Sequence, residues 1–324
     1  MSPPSSPPLR QPRFVQLYRE DREAVRRELA RGLQAAQASL APKYLYDPLG
    51  SRLFDAITEL PEYYPTRTEA ALLAEHAPAI AAQVPRGATL VDLGAGNCEK
   101  AARLFGLLQP ARYVAVDISV DYLRHALDCL QRQFPALDML GVGLDFSRAL
   151  ALPAEAGAGP RLLFYPGSSI GNFLPAEALD FLRQARAAAQ GGGLLIGVDL
   201  VKPLDVLEPA YDDALGVTAA FNKNLLRHVN RLLGADFDVR DWSHVAFFNR
   251  EQSRIEMHLQ ATREVVVRWP GAGRTFAAGE RIHTENSCKY RSADFEALLR
   301  QAGFARTQRW TDANGWFAMF WAEG

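Results

Sequence analysis

The apolar positions change rhythm along the chain. Over residues 14–37 charged residues alternate with Ala and Leu in a pattern that predicts a helix. Residues 43–64 carry many aromatics around Asp47, Pro48 and Gly50, a composition of loop and short helix. An Ala-rich helix is predicted over 66–83, stopped by Pro85, Arg86 and Gly87. Short apolar runs then predict strands over 88–93, 112–116, 139–144, 161–165 and 193–200. Helical stretches lie between most of them, over 99–108, over 119–134 with Ser119 as N-cap, and over 176–190. Mostly apolar strands alternating with helices imply a doubly wound parallel sheet. A helix over 292–302, capped by Ser292, and strands over 305–312 and 316–323 follow, with the hairpin signal Asn314-Gly315 between the strands.

Residues 202–290 break the alternation, with a helical part over 209–233 and β-rich segments over 244–249, 254–259 and 264–269. The expected organisation is a disordered tail at 1–13, an N-terminal helical part of a second lobe at 14–65, the sheet domain at 66–201, an inserted lobe at 202–290, and the closing helix and hairpin at 291–324. Ligands of open α/β sheets bind beyond the carboxyl ends of the strands, so a lobe inserted after the fifth strand belongs beside a ligand.

Composition narrows the partners. Of 324 residues, 48% are hydrophobic and 23% charged, the balance of a globular chain with a real core. Lys plus Arg number 36 and Asp plus Glu 37, so no basic excess points to nucleic acid. Cys98, Cys129 and Cys288 lack CxxC spacing and read as packed thiols, not a disulfide framework or zinc site. The six histidines show no HxxxH-type spacing, so no metal is expected. The Pro- and Ser-rich start lacks the apolar run of a signal peptide, and no stretch is long enough to cross a bilayer. A cytoplasmic monomer is the expectation.

The segment Val91-Asp92-Leu93-Gly94-Ala95-Gly96-Asn97-Cys98-Glu99-Lys100 follows a predicted strand and opens a helix. Its glycines allow a tight turn and a close approach of backbone to ligand. Glu99 holds the place of the third glycine of the dinucleotide fingerprint, which argues against NAD or FAD. Asp117 ends the second strand, where a carboxylate suits two ribose hydroxyls. Asp145 and Phe146 follow the third, where a carboxylate suits an adenine amine and a ring can cover the base. Three features at three successive strand ends point to S-adenosylmethionine; helix capping by either aspartate is the plainer alternative. The element order, closing helix and hairpin included, is that of a class I methyltransferase: a Rossmann-like doubly wound α/β sheet with a terminal antiparallel hairpin, plus a second α+β substrate lobe. After the fourth strand, Asn172 in Pro166-Gly167-Ser168-Ser169-Ile170-Gly171-Asn172-Phe173 offers a donor and an acceptor beside a reacting amine, or simply holds a turn.

Longer motifs make the reading sharper. Tyr46-Asp47, Leu53-Phe54-Asp55, Leu60-Pro61-Glu62-Tyr63-Tyr64-Pro65-Thr66-Arg67, Tyr211-Asp212-Asp213, Phe221-Asn222-Lys223-Asn224 and His283-Thr284-Glu285-Asn286-Ser287, with the loops already named, resemble the histidine-specific N-α-methyltransferases of ergothioneine biosynthesis. The resemblance runs from about residue 14 to the C-terminus. It implies trimethylation of histidine to the betaine hercynine, with S-adenosylmethionine as donor and S-adenosylhomocysteine as product. It implies cofactor roles for Gly94, Lys100, Asp117, Asp145 and Phe146. It places Asn172 and Tyr211 on the substrate carboxylate, Tyr63 on the substrate, and Tyr46 and Phe54 around the amine. It places Glu285 and Ser287 on the imidazole, with Met257 packed beside it. Glu285 and Ser287 are two apart, so on an extended segment they face one side; without the resemblance they read as a solvated strand face and Met257 as core.

Methyl transfer from a sulfonium needs a neutral amine held in line, roughly 3–3.5 Å away, with water excluded. A free α-amine has a pKa near ~8, so no strong base is required and none is evident. Asn172 and Tyr46 are the candidates for orienting the nitrogen. Competing expectations are the same chemistry on another amino acid or amine such as tryptophan, a catalytically dead cofactor-binding regulator, and a nicotinamide oxidoreductase.

Overall fold

A computed structural model of the protein describes residues 10–18, 21–118 and 120–324. In chain order the elements are β1 (Arg13–Gln16), α1 (Arg22–Gln34), α2 (Pro48–Thr58), α3 (Tyr64–Ala81), β2 (Thr89–Leu93), α4 (Glu99–Ala102), α5 (Phe105–Leu108), β3 (Arg112–Asp117), α6 (Val120–Gln133), β4 (Asp138–Gly143), β5 (Arg161–Tyr165), α7 (Pro175–Ala189) and β6 (Gly193–Asp199). There follow α8 (Leu204–Leu207), α9 (Val217–Leu233), β7 (Trp242–Asn249), β8 (Arg254–Ala261), β9 (Val265–Trp269), β10 (Ala272–Phe276), β11 (Arg281–Cys288), α10 (Ser292–Gln301), β12 (Arg306–Thr311) and β13 (Phe317–Glu323).

The main sheet has the order β1-β4-β3-β2-β5-β6-β13-β12. Strands β1 to β6 pair in parallel, and β13 runs antiparallel between β6 and β12. Strands β2 to β6 and β13 are covered on both faces, which is why they are mainly apolar, whereas the edge strands β1 and β12 are partly exposed. Val91, Val114 and Leu163 pack on the side of α7 and α10, while Leu90, Tyr113 and Leu162 pack in a second core with Leu72 and Leu127 from α3 and α6. The strand order reverses between β2 and β5. That switch point opens a crevice at the strands' carboxyl ends.

The expected helix over 14–37 divides into β1 and α1. Gly141 and Gly143 of β4 leave room for β1: a Cβ on Gly141 would lie 2.6 Å from Phe14, and one on Gly143 would meet Gln16. The Arg124 guanidinium sits 4.4 Å over the Phe14 ring. Of the tail expected over 1–13, residues 10–13 are placed, with Arg10 N–H bonding Pro135 O at 3.1 Å and Arg13 beginning the strand; residues 1–9 lie outside the described residues. The helix over 99–108 is two short helices, the N-cap of α10 is Arg291 with Ser292 as first helical residue, and Ser119 lies outside the described residues.

The second lobe has its own core, in which Leu29 and Leu33 of α1, Leu225 and Val229 of α9, and Met257, Leu259 and Ile282 of the strands are buried together. Its sheets are β11-β8-β7 and β10-β9, both antiparallel. The sequence pattern predicted neither β10 nor β11. A bulge between His283 and Glu285 shifts the β11–β8 register. The helix expected over 209–233 begins only at Val217, where Asp213 caps the N–H groups of Val217 and Thr218 at 3.0 and 2.7 Å. Among the described residues no helix is long and apolar enough to cross a membrane.

Candidate active site

The loop after β2 turns through Gly94 and Gly96, with φ of 70° and 53°. Only a glycine takes this backbone without strain. Gly96 N–H donates to Asp117 Oδ2 at 3.2 Å, tying the loop to the end of β3. Phe146 faces the same loop, its Cζ 3.8 Å from where a Cβ on Gly94 would be. Asp145 Oδ1 accepts from Ser147 Oγ at 2.5 Å. Its Oδ2 is buried, 3.3 Å from Arg148 Nε, and accepts no hydrogen bond. Gly94, Asp117, Asp145 and Phe146 thus gather at three neighbouring strand ends. Lys100, expected to contact the cofactor, lies in the first turn of α4 at the same loop; its Nζ donates to Glu69 Oε2 at 2.7 Å, and Glu69 Oε1 takes the Gly167 N–H at 2.6 Å. Glu69 therefore clamps the loops after β2 and β5 to α3. Beneath them, burial raises Asp92 to about 7 against the hydrogen bond from Tyr113.

A pocket lies between the β5 end and the second lobe. All eight residues expected around the substrate line it: Tyr46, Phe54, Tyr63, Asn172, Tyr211, Met257, Glu285 and Ser287. One wall is a chain of ring contacts, Tyr46–Phe54 at 5.6 Å, Phe54–Tyr63 at 6.1 Å and Tyr63–Tyr211 at 6.3 Å, closed by Phe221 at 5.5 Å from Tyr46. Asp47, the N-cap of α2, holds this wall in place. Its Oδ1 accepts from Gly50 N–H at 2.8 Å and Asn224 at 2.6 Å, and its Oδ2 meets Arg231.

Asn172 sits in a helical turn that begins after Ser168, whose Oγ accepts from Asp199 N–H at 2.8 Å. Across the cavity Glu285 pairs with Met257 in the β11–β8 ladder, which sets both beside Ser287. Glu285 is 8% exposed, and burial raises its carboxyl to about 7, with Lys289 pulling the other way. Burial likewise raises Tyr63 and Tyr211 far above the usual phenol range, so both carry their protons.

Behind Tyr211 and Ser287 lies a charged cluster that the sequence reading missed. Asp199 ends β6; its Oδ2 takes Lys289 Nζ at 2.7 Å and Tyr64 OH at 2.6 Å, and its Oδ1 meets Lys202. The three charged side chains are at most 1% exposed. Burial alone would raise Asp199, but the two lysines outweigh it and hold the carboxyl low; burial brings Lys202 down to about 8. A signal was available for Lys289, which continues the period-two series Glu285, Ser287, Lys289 on one strand face.

The structure also qualifies the histidine spacing. His258 and His283 oppose each other on β8 and β11, and with Glu256 they place ligand-type atoms within 4.8 Å. Sequence spacing cannot show such cross-strand neighbours. Both Glu256 oxygens are engaged there, one by Arg254 and Asn249 and the other by His258.

A reversed strand order with glycine loop and carboxylates at the carboxyl ends, β13 inverted between β6 and β12, and a pocket over the β5 end define a class I methyltransferase. Comparison with known proteins narrows this. The chain belongs to the family described as "Histidine-specific methyltransferase, SAM-dependent", whose profile matches residues 25–324. It is 44% identical to the histidine N-alpha-methyltransferase of Mycolicibacterium smegmatis over 92% of this chain and 94% of that protein. It is 42% identical to the histidine N-alpha-methyltransferase of Mycobacterium tuberculosis over 91% and 94%. It is 31% identical to the ergothioneine biosynthesis protein 1 of Neurospora crassa over 83% of this chain but 31% of that longer protein.

Proposed function

We propose that this protein transfers methyl groups from S-adenosylmethionine to the α-amino nitrogen of L-histidine, making hercynine for ergothioneine biosynthesis. The residues of the crevice fit that donor: a glycine turn lets it approach the backbone, Asp117 suits a ribose diol, and the buried Asp145 Oδ2 has no hydrogen bond and suits an adenine amine beside Phe146. When bound, it supplies a sulfonium-activated methyl group.

The observation that carries the histidine reading is the buried Glu285, paired with Met257 in the ladder and opposite an aromatic wall. A buried carboxylate needs a donor in the ligand, and an imidazole N–H is one. A site built to bond such a group can reject an apolar analogue by ~10⁴-fold. Ser287 takes the second contact to the ring. Asn172 and Tyr211 hold the carboxylate. Tyr46, Phe54 and Tyr63 enclose the amine and keep water out, and Asn172 and Tyr46 orient its lone pair. The aromatic walls disfavour an ammonium's hydration, so the neutral, reactive amine is the form held.

The test is incubation of the purified protein with S-adenosylmethionine and the twenty amino acids, read by mass. Histidine heavier by three methyl groups supports the proposal. Methylation of tryptophan or another amino acid instead would keep the chemistry and overturn the Glu285–imidazole assignment.

A further inference from the structure

Hydrogen-bond counting around Lys289 gives the cavity wall a direction. Lys289 has three N–H donors and three partners: Asp199 Oδ2 at 2.7 Å, Tyr211 Oη at 2.7 Å and Ser287 Oγ at 2.8 Å. Both hydroxyl oxygens therefore accept from a buried cation. They are also 2.8 Å from each other, so one of their two hydroxyl hydrogens lies between them. One hydroxyl hydrogen remains, and Tyr211 and Ser287 both line the cavity. The charges point the same way. Lys202 and Lys289 face the single carboxylate of Asp199, and Glu285 is the other acidic residue lining the cavity.

We propose that Lys289, anchored by Asp199, is a positioning residue that fixes the hydrogen-bond polarity of Tyr211 and Ser287, so that this wall takes an anionic acceptor, the free carboxylate of an α-amino acid. This rests on the histidine reading above and adds a specificity rule to it. With Ser287 donating to Tyr211, the Tyr211 hydrogen goes to the carboxylate, and Ser287 keeps a lone pair for a ligand N–H. An amino acid whose carboxyl group is amidated presents N–H donors and no charge. Its carbonyl oxygen accepts from Tyr211 only as a neutral group, and its N–H donors meet no acceptor beyond the Ser287 lone pair that the ring N–H takes.

The experiment compares kcat/KM for L-histidine and L-histidinamide in the wild type, Lys289→Met and Lys202→Met. Lys289→Met leaves Asp199 matched one to one with Lys202, so no buried carboxylate is stranded; S-adenosylhomocysteine binding reports an intact donor site. The wild type should prefer histidine, and Lys289→Met should shrink that preference at least tenfold, mainly through a raised KM for histidine. Lys202 carries the same charge but touches Tyr64 and Asp199, not Tyr211 or Ser287, so Lys202→Met should keep most of the preference. If Lys289→Met does not fold, Lys289→Gln, neutral and polar, is read in its place. An unchanged preference overturns the proposal, as does an equal loss in both lysine variants, which would show bulk charge at work. A wild type inactive on histidine would instead sink the substrate assignment itself.

Discussion

Replacing Glu285 with Gln should make the protein more stable, by a gain that grows as pH rises from 4.5 and is nearly complete at about 7. The folded chain holds the Glu285 proton up to about 7, against an ordinary value of 4.5. Because the folded value is raised, the group's contribution is fully present below pH 4.5 and is lost as pH rises through 7. That difference corresponds to roughly 3 kcal/mol. Glu285→Gln removes the ionisation and keeps the shape. Urea melts at pH 8.5 should show the variant about 3 kcal/mol more stable, or about 5 °C higher in Tm for a chain this long. At pH 5 the gain should be less than about 1 kcal/mol. The same variant should bind histidine more weakly, since a neutral amide replaces a carboxylate opposite the ring. Equal stability changes at both pH values, or a loss at pH 8.5, would refute the account of Glu285 as a buried acid.

Two further outcomes follow from the crevice. Asp117→Ala should weaken S-adenosylhomocysteine at least tenfold by calorimetry, as expected for ~1.4 kcal/mol or more from lost charge-assisted hydrogen bonds; undiminished affinity would remove Asp117 from the donor site. Gly197→Ala would drive a methyl group into Glu69 Oε1 and against the Phe317 ring, displacing the carboxylate that clamps Lys100 and Gly167. It should cost about 2 kcal/mol or more in urea unfolding, and an unchanged midpoint would show that the clamp yields freely.

The central strands were legible because β2 to β6 and β13 are buried on both faces and so are mainly apolar; Asn314-Gly315 announced the terminal hairpin in the same plain way. β11 was hidden for the opposite reason. Its buried residues include Thr284, Glu285, Asn286 and Ser287, so the strand that carries the site shows no hydrophobic alternation. β1 was hidden by brevity and by its edge position, where Arg13 and Gln16 flank two apolar residues. The substrate residues came from motif resemblance, and the structure brings all eight to one cavity. Glu69 and Asp199 gave no such signal, because a buried carboxylate in a helix or at a strand end looks like any other until its partners are known.

The β1 strand has a consequence for handling the protein. Its four residues cover the outer rim of β4, whose Met139, Leu140 and Val142 are almost wholly buried. A version truncated before Tyr18 would leave that rim unpaired, a flat apolar template open to strands of other chains. Such a version would be prone to aggregate for a reason unrelated to catalysis, and the remedy would be a charged residue at that rim, not a change in the active site.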